Sequence, residues 1–404
     1  MTRSYTLIVL ILCCLPLQLG CKAYVPLPLN PAELVHQLDY TRQHPDMSQA
    51  TVRDTGGEVD PKAEAEPGQN PPAFTLKLAA DWLLRYGPEI LEVEAEYRTA
   101  LAKARIKTPL PNPTLSMGAE YGFGRDVSTR RVVPFGSIGF QIPTGDRLEQ
   151  QDQLNQAAAE VAQVRALTRH RELYLSLREL YTRLATVRRR HAARLDIARS
   201  AERSVEASRR LVEAGQAVAA DIALFELEHA RSEVDVLNSR VSTATVESAL
   251  ATLIGVHARH FVRLPEQLLP KLADQLPSLE SLKEMLILHH PELARLRARY
   301  AASERALRLE IAKQYPDLSI GGSGRGEVGD RKVILGLPLG IELPLFDRNE
   351  QGIAEAEGRR EEVRTHYTAA ASRALAALEH AYRVAQLSGR TRRILQQTIL
   401  AKAR

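Results

Sequence analysis

Two pairs of histidines have a spacing that could bind a metal ion: His257 with His260, and His289 with His290. A metal site needs further ligands around such a pair, and no carboxylate or thiol group of suitable spacing accompanies either one. Both pairs also stand near predicted helix ends, where a histidine is commonly solvated or caps the helix. We therefore predict no metal site and no cofactor.

No catalytic pattern is visible elsewhere in the chain. The sequence contains no nucleophile elbow, no phosphate-binding loop and no paired-carboxylate signature. Its 54 basic and 49 acidic residues are interspersed, so the net charge of +5 builds no concentrated basic surface. We predict a protein that is not an enzyme and that has no nucleic-acid partner.

Cys21 is the residue with the clearest covalent chemistry. Residues 1–20 have a positive start, a short apolar run and the ending Leu19-Gly20, which together predict a secretory signal with a lipoprotein-like cleavage site before Cys21. Cys13 and Cys14 would leave with the signal, so the mature chain forms no internal disulfide. We predict that Cys21 is acylated, with palmitate, rather than used in redox chemistry.

A segment of unusual length dominates the rest of the chain. Between Asp146 and Ile254 there is no proline and only one glycine, Gly215, which predicts two long helices folded back at that glycine. The first arm, about 69 residues, would reach roughly 100 Å. Gly215 suits a left-handed helix end, and Val218 and Asp221 follow it, with Asp221 placed to cap the second arm. These residues have either a structural role or a role in docking a partner, or both.

Apolar residues step by four and three positions along both arms, which predicts narrow seams between helices. A simple dimeric coiled coil remains an alternative interpretation of this segment. The seam residues are Leu173, Leu177, Leu180, Leu184 and Val187 in the first arm, and Ala223, Leu227, Ala230, Val234, Leu237, Val241 and Ala244 in the second.

The chain also contains an internal repeat. Pro88-Glu89-Ile90 recurs as Pro291-Glu292-Leu293, 203 positions later, and the run 113–116 recurs at 316–319 with the same offset. The junction beginning at Asp146 recurs at Asp347, 201 positions later. The repeated unit is helix, strand, loop, strand and long helix, so the sequence predicts a mainly α fold made of a duplicated unit.

Four predicted strands, at about 113–123, 133–143, 316–325 and 332–344, alternate between an apolar face and a small, polar face. Each is about ten residues long, as a tilted strand needs to cross a bilayer. No later segment is apolar for long enough to form a membrane-spanning helix, so strands would make any crossing. Glu120 and Glu342 fall on the polar face, where we predict that they face a lumen. They either bias this lumen toward cations or are solvated residues of the kind that barrel interiors routinely carry.

Four strands cannot close a barrel, so several chains would have to share one. The alternative is the edge of a soluble β-sandwich packed on helices, which Pro338 in mid-strand favours. The loops 124–131 and 326–332 are charged and would face outside.

The predicted organisation follows from these patterns. Residues 1–20 are the signal, and residues 21–74 are an extended leader with a short helix near Pro31 to Leu38. Residues 75–278 form the first repeat with the helical hairpin 146–254, and residues 279–404 form the second, incomplete repeat with a long helix at 348–404. Between them we predict one helix from about Glu280 to Lys313, which with the return arm nearly equals the first arm in length.

The sequence resembles the TolC family of outer-membrane efflux factors, in the lipoprotein branch that serves heavy-metal and related efflux pumps. The resemblance covers residues 26–404. It is carried by the leader 24–29, the run Pro111 to Ser116, the two strand-to-helix junctions, and the turn Arg210 to Gly215 followed by Asp221-Ile222.

This resemblance implies a passive export duct: a homotrimer with two transmembrane β-hairpins per chain, a trimeric 12-strand β-barrel in outer-membrane lipid, and long helical hairpins that form an α-barrel. It further implies a lipid-anchored protein of the outer membrane that extends into the periplasm. There its turn at Gly215, Val218 and Asp221 would dock a periplasmic adaptor coupled to an inner-membrane pump. The second turn would lie near roughly position 416 by the repeat offset, so we expect this sequence to lack that turn and the pore constriction it carries in the family.

Two other classes stay open at this point. A periplasmic adaptor can also carry a lipid and a helical hairpin, but it has one hairpin flanked by lipoyl-like and other soluble β-domains, which the duplicated strand pairs oppose. A structural coiled-coil lipoprotein would leave residues 124–131 inaccessible to an external label on whole cells.

Overall fold

The structure, a computed structural model, describes residues 24–27, 29–45, 74–121, 132–216, 218–261, 276–326 and 332–399. The chain divides into two units, residues 1–49 and residues 50–404. In the described part of the first unit there is one helix, α1 (Pro31–Gln43), and none of its residues is buried. Proline is suited to the first turn of this helix, because a helix start leaves its N–H groups unpaired anyway.

The second unit repeats one order of elements within its described residues: two helices, strands, and a long helix. The first set is α2 (Leu76–Tyr86), α3 (Pro88–Ala104), β1 (Thr114–Tyr121), β2 (Val132–Ile142), α4 (Arg147–Glu213), α5 (Ala219–Ile254) and a 3₁₀ turn (Ala258–His260). The second set is α6 (Leu279–His289), α7 (Pro291–Ala312), β3 (Leu318–Gly326), β4 (Val333–Gly336), β5 (Leu339–Ile341), α8 (Glu350–Ile394) and a π-helical turn (Leu395–Ile399).

The prediction of one continuous helix from about Glu280 to Lys313 is wrong, because the chain divides there into α6 and α7 at His290. His290 has an extended backbone, with ψ at 124°, as the residue before a proline prefers. Pro291 then opens α7. Pro88 separates α2 from α3 in the same way.

Helix α4 is the element against which most others pack. It has 67 residues and is therefore about 100 Å long at 1.5 Å per residue. Helices α3, α5 and α7 all lie along it, and α8 lies on α7. A helix of this length is possible because its sequence contains neither proline nor glycine.

An aromatic cluster holds α2, α4 and the end of α5 together. The ring of Phe74 lies 4.6 Å from Phe261, 5.7 Å from Tyr181 and 5.8 Å from Trp82, measured between ring centres. All four side chains are at most 1% exposed. The Tyr181 hydroxyl donates a hydrogen bond to the Phe74 carbonyl oxygen at 2.8 Å, and burial raises the pKa of Tyr181 to about 12. The cluster fixes α2 against the α4–α5 pair.

The two predicted seams differ in their surroundings. In α4, Leu173, Leu177 and Leu184 are buried, as predicted. In α5, the apolar members of the seam are 49% to 66% exposed, and no described element covers them; they are Leu227, Val234, Leu237 and Val241. The second seam is therefore an exposed apolar stripe rather than an internal contact.

Polar side chains form part of the contact between α4 and α5. His191 Nδ1 lies 2.7 Å from Ser239 Oγ, and Ser232 of α5 is buried in this contact region. Three ion pairs also join the helices: Arg188 with Glu247, Arg194 with Asp235, and Arg209 with Glu226. Apolar side chains are buried on both helices as well, among them Val205 of α4 and Val246 of α5, whereas the apolar stripe of α5 is exposed.

The strands form one antiparallel sheet in the order β1-β2-β3-β4, with β5 also paired to β3. Strand β2 pairs with β3 although they belong to different halves of the chain, and Ile142 stands opposite Leu318. The predicted alternation of faces along each strand is confirmed by the register across all of these pairs.

Pro338 interrupts the last strand, so the predicted strand at 332–344 is two short strands, β4 and β5. Their pairing with β3 keeps one register on both sides of the proline. Pro338 has no N–H to donate, but its carbonyl oxygen accepts from the Gly321 N–H at 2.9 Å. A β-carbon at Gly321 would lie 3.2 Å from Cγ of Pro338 and 2.9 Å from the Ile138 carbonyl oxygen. The glycine opposite leaves room for the proline ring.

Both long helices begin at a residue with left-handed backbone: Asp146 before α4, with φ at 55°, and Asn349 before α8, with φ at 57°. Aspartate and asparagine tolerate this conformation better than other residues that have a β-carbon. The two residues lie 203 positions apart, the offset of the other repeats. The starts of the two helices thus correspond at an offset of 203, although the motif that begins at Asp146 recurs in the sequence at Asp347.

The turn between α4 and α5 has the predicted left-handed glycine, with φ at 69° for Gly215. The Gln216 N–H donates to the Leu211 carbonyl oxygen at 2.8 Å, and the Gly215 N–H donates to that of Val212 at 3.0 Å. These two bonds form a Schellman motif, which satisfies the last carbonyl groups of α4.

Asp221 caps the start of α5, where the sequence placed it. Its carboxylate accepts from the Val218 N–H at 3.3 Å, and its charge also suits the positive end of the helix dipole. This contact is one half of a capping box, since valine has no side-chain oxygen to supply the other half.

Gly215→Ala should destabilise the hairpin by about 1–2 kcal/mol, because left-handed backbone is costly for a residue with a β-carbon. No crowding contributes, since a β-carbon there meets no atom within 4 Å. Gly358→Ala is the matched control: this glycine lies in the interior of α8, also in open space, and its replacement should stabilise the helix by about 0.5–1 kcal/mol. Urea unfolding followed by circular dichroism measures both. Changes of the same sign would contradict a left-handed turn at Gly215.

Candidate functional site

One face of the sheet is a continuous apolar surface. Leu335 is 81% exposed and Met117 is 77% exposed. The other large members of this face are Leu115, Tyr121, Val132, Ile138, Phe140, Ile142, Ile320, Val333, Leu339 and Ile341. An apolar surface of this extent is unfavourable in water and indicates contact with lipid or with another protein.

The opposite face is mostly small and polar. Ser116, Ser137 and Ser323 form one row across three strands. Glu120 lies near the end of β1 on this face and is exposed. Glu342 follows β5 by one residue, on the side of Gly340, and is exposed as well. The structure thus places both predicted glutamates on the polar side, at opposite ends of the sheet.

The sheet has two open edges. Strand β1 and the β4–β5 strand each have one side without a strand partner in the part of the chain that the structure describes. The peptide groups along these sides are available for hydrogen bonds with another strand. Such edges have to be paired wherever water is excluded.

Side chains tie the sheet to the long helix. Arg147, the first residue of α4, lies 3.0 Å from Oδ2 of Asp317, which also accepts from Gln141 Nε2 at 2.8 Å. Asp317 precedes β3, so one carboxylate joins the end of β2, the start of α4 and the start of β3. Asp317 belongs to the repeated run at 316–319, but its role became visible only in the structure.

The tip of the helical hairpin is exposed. Val218 is 64% exposed, and Gly215 and Asp221 are exposed beside it. Leu211 and Leu224 add apolar surface on either side of the turn. The structure therefore brings the three predicted turn residues together on an accessible surface with both apolar and acidic character.

A group of charged side chains on α3, α4 and α7 was not predicted. Arg169 of α4 contacts Glu89 of α3, and Arg295 of α7 donates to Glu292 at 2.6 and 2.7 Å. These hydrogen bonds hold the pKa of Glu292 below its usual value. Glu89 and Glu292 are the repeated Pro-Glu positions, each in the first turn of its helix. That repetition was the available signal for a shared role, because a helix start favours a carboxylate.

The histidine pairs have structural surroundings. His257 Nδ1 accepts from the Arg259 N–H at 3.2 Å at the start of the 3₁₀ turn, and the His260 ring packs edge-on against Trp82 at 5.9 Å. His289 ends α6, and His290 separates α6 from α7. Among the residues with described positions, no group of three or more His, Cys, Asp or Glu is arranged to hold a metal ion.

Some predicted features lie outside the described residues. Cys21 and the loop 124–131 do so entirely, and the loop 326–332 does so at 327–331. None of the described helices combines the length and the hydropathy of a membrane-spanning helix.

Comparison with known proteins agrees with this arrangement. Residues 81–256 match the family model described as outer membrane efflux protein. Over 209 residues the chain is 27% identical to the cobalt-zinc-cadmium resistance protein CzcC of Cupriavidus metallidurans. This alignment covers 50% of this chain and 48% of CzcC. The chain thus spans about half the length of that curated relative.

Solved structures extend the likeness across most of the chain. The outer membrane protein VceC of Vibrio cholerae matches with a TM-score of 0.63 at 18% identity, covering 81% of this chain and 83% of VceC. CusC, whose crystal structures were described in relation to folding and transmembrane channel formation, matches with a TM-score of 0.60 at 16% identity. The match covers 82% of this chain and 81% of CusC. The predicted resemblance is therefore confirmed: residues 81–256 carry the pattern of the outer membrane efflux proteins, and the chain has the TolC-like fold.

Proposed function

We propose that this protein is the outer-membrane channel component of a tripartite efflux system and that it acts as a passive export duct. The sheet carries this proposal, because it combines an exposed apolar face with a small, polar face in a chain of the efflux fold. Lipid would contact the first face and water the second. The similarity to a protein named for cobalt, zinc and cadmium resistance supports a metal-efflux system as the setting.

The channel would be a homotrimer with a 12-strand β-barrel. Each chain contributes four strands, if β4 and β5 count as one, and leaves two edges open. Open edges are not tolerated in lipid. Joining β1 of one copy to the β4–β5 edge of the next copy would pair every edge in a closed ring.

The helices would form a hollow cylinder below the barrel. Helix α4, about 100 Å long, has the reach to cross much of the periplasm. The exposed apolar stripe of α5 would pack against a helix of a neighbouring copy, which removes it from water. The first and second sets of elements would then be duplicated units, and each would contribute helices to the wall of this cylinder.

The hairpin tip would dock a periplasmic adaptor that couples the duct to an inner-membrane pump. Gly215, Val218 and Asp221 are accessible there, and apolar side chains flank them. A passive duct needs such a partner, because it supplies a path and the partner supplies the energy.

The chain would also be anchored to outer-membrane lipid at Cys21. The signal-like residues 1–20 and the single cysteine of the mature chain support acylation there. A lipid on the chain would hold the N-terminal segment at the membrane surface.

We expect the protein purified in detergent to be a trimer that conducts ions in planar bilayers. Leu237→Asp should break the trimer, because it places a charge in the α5 stripe at a site that the neighbouring copy would bury. Asn238→Asp adds the same charge one residue away, outside the stripe, and should leave the trimer intact. Light scattering and bilayer recordings measure both. A monomer without conductance in the unmodified protein would overturn the proposed function.

A photoreactive amino acid at position 218 should cross-link in cells to a periplasmic partner, because Val218 is exposed at the tip. The same amino acid at position 231, an exposed site within α5, is the control. Mass spectrometry identifies the captured protein. Equal capture from both positions would contradict docking at the tip.

Cys21→Ser should abolish incorporation of a palmitate analogue, since it removes the predicted acylation site. Labelling of cells with an alkyne-bearing fatty acid measures this. Undiminished labelling of the variant would contradict a lipid at Cys21.

A further inference from the structure

One row of side chains on the polar face of the sheet does not share its small, polar character. In this row Gly118 of β1, Phe135 of β2, Arg325 of β3 and Ile334 of β4 stand opposite one another in register. Arg325 is the next-to-last residue of β3, at the end of the sheet away from the long helices. In the proposed channel this is the outer end, so any role of the row in a pore rests on the proposed function.

Within this row only Arg325 can project far into a lumen. The Phe135 ring lies flat across Gly118: a β-carbon there would be 2.5 Å from Cζ and 2.6 Å from Cε1 of that ring. Gly118 itself has no side chain, and Ile334 is short. Arg325 is exposed and has the longest side chain of the four.

Among the residues that the structure describes, no carboxylate pairs with Arg325. Its partners across the sheet, Phe135 and Ile334, are both apolar, and Arg325 makes no ion pair with another described residue. Of the acidic residues with described positions, Glu120 is the nearest on the same face, and it lies two strands away and two residues further along the strand. With strands about 4.8 Å apart and about 3.4 Å per residue, that is a separation of roughly 12 Å between backbone positions. Salt screens exposed charges beyond about 10 Å at 0.1 M.

We propose that Arg325 determines the charge preference of the lumen near its outer end. Three copies would place three arginines in one ring, each against an apolar background. Rings of like charge in a pore attract counter-ions and repel ions of the same sign. This ring would favour anions and disfavour small free cations at the exit, opposite to the bias predicted for Glu120 and Glu342.

The test is ion selectivity of the trimer in planar bilayers under a KCl gradient with at least about 0.1 M salt on both sides, where screening separates Arg325 from Glu120. Arg325→Glu should raise the permeability ratio of potassium to chloride by about threefold or more, because the sign of the ring is reversed. Arg325→Lys should keep the original ratio, since the charge is retained. Ser323→Ala, on the same strand and face, is the uncharged control and should also leave the ratio unchanged.

A second measurement avoids any effect of substitution on folding. Arg325→Cys is made and assembled first, and then modified in the bilayer with a positively or negatively charged thiol reagent. The positive reagent should restore the ratio of the unmodified protein, and the negative reagent should raise it toward that of Arg325→Glu. A conducting trimer whose ratio is indifferent to the charge at position 325 would overturn the inference, whereas an unmodified protein that does not conduct would instead overturn the proposed function.

Discussion

The pairing of β2 with β3 is the contact on which the rest of this structure depends. It joins two halves of the chain that are far apart in sequence and makes one sheet from two hairpins. A slip of one residue in this pairing would exchange the two faces of a strand and mix apolar with polar side chains. Asp317 holds the register by binding Arg147 and Gln141 from the other half. Tyr315 packs against Gly145, where a β-carbon would lie 2.5 Å from its ring.

The sheet in turn sets the place of the helices. The chain leaves β2 directly into α4 and reaches β3 directly from α7, so the strand pair brings α4 and α7 side by side. Helix α5 then returns along α4 through ion pairs and small polar residues, whose net contribution to stability is modest at such exposure. Its apolar stripe remains outside. An exposed apolar stripe of this kind is unfavourable in water and suits packing against another protein surface.

Arg325 and Pro338 illustrate how the residues on the neighbouring strands decide the structural role of a residue. Arg325 lies in a glycine-rich run and carries no motif, yet the register surrounds it with Phe135 and Ile334. Pro338 favoured a soluble edge strand when considered alone. Opposite Gly321 it is accommodated, because the glycine gives space and donates its N–H to the proline carbonyl. Each conclusion needed knowledge of which strand lies opposite.

Local chemistry along the chain was enough to predict the long helices, the left-handed turn at Gly215, the cap at Asp221 and the alternation of the strands. These features depend on residues close in sequence, through helix propensity, glycine conformation and the period of two in a strand. The break at His290 was also local, since Pro291 was visible, but the continuing helical pattern around it was misleading. Only the tertiary structure decided that the α5 stripe is exposed, that Asp317 joins three elements, and that Arg325 has apolar neighbours. These depend on contacts between residues more than 100 positions apart or on the absence of a covering element, and periodicity carries no information about which surface lies opposite another.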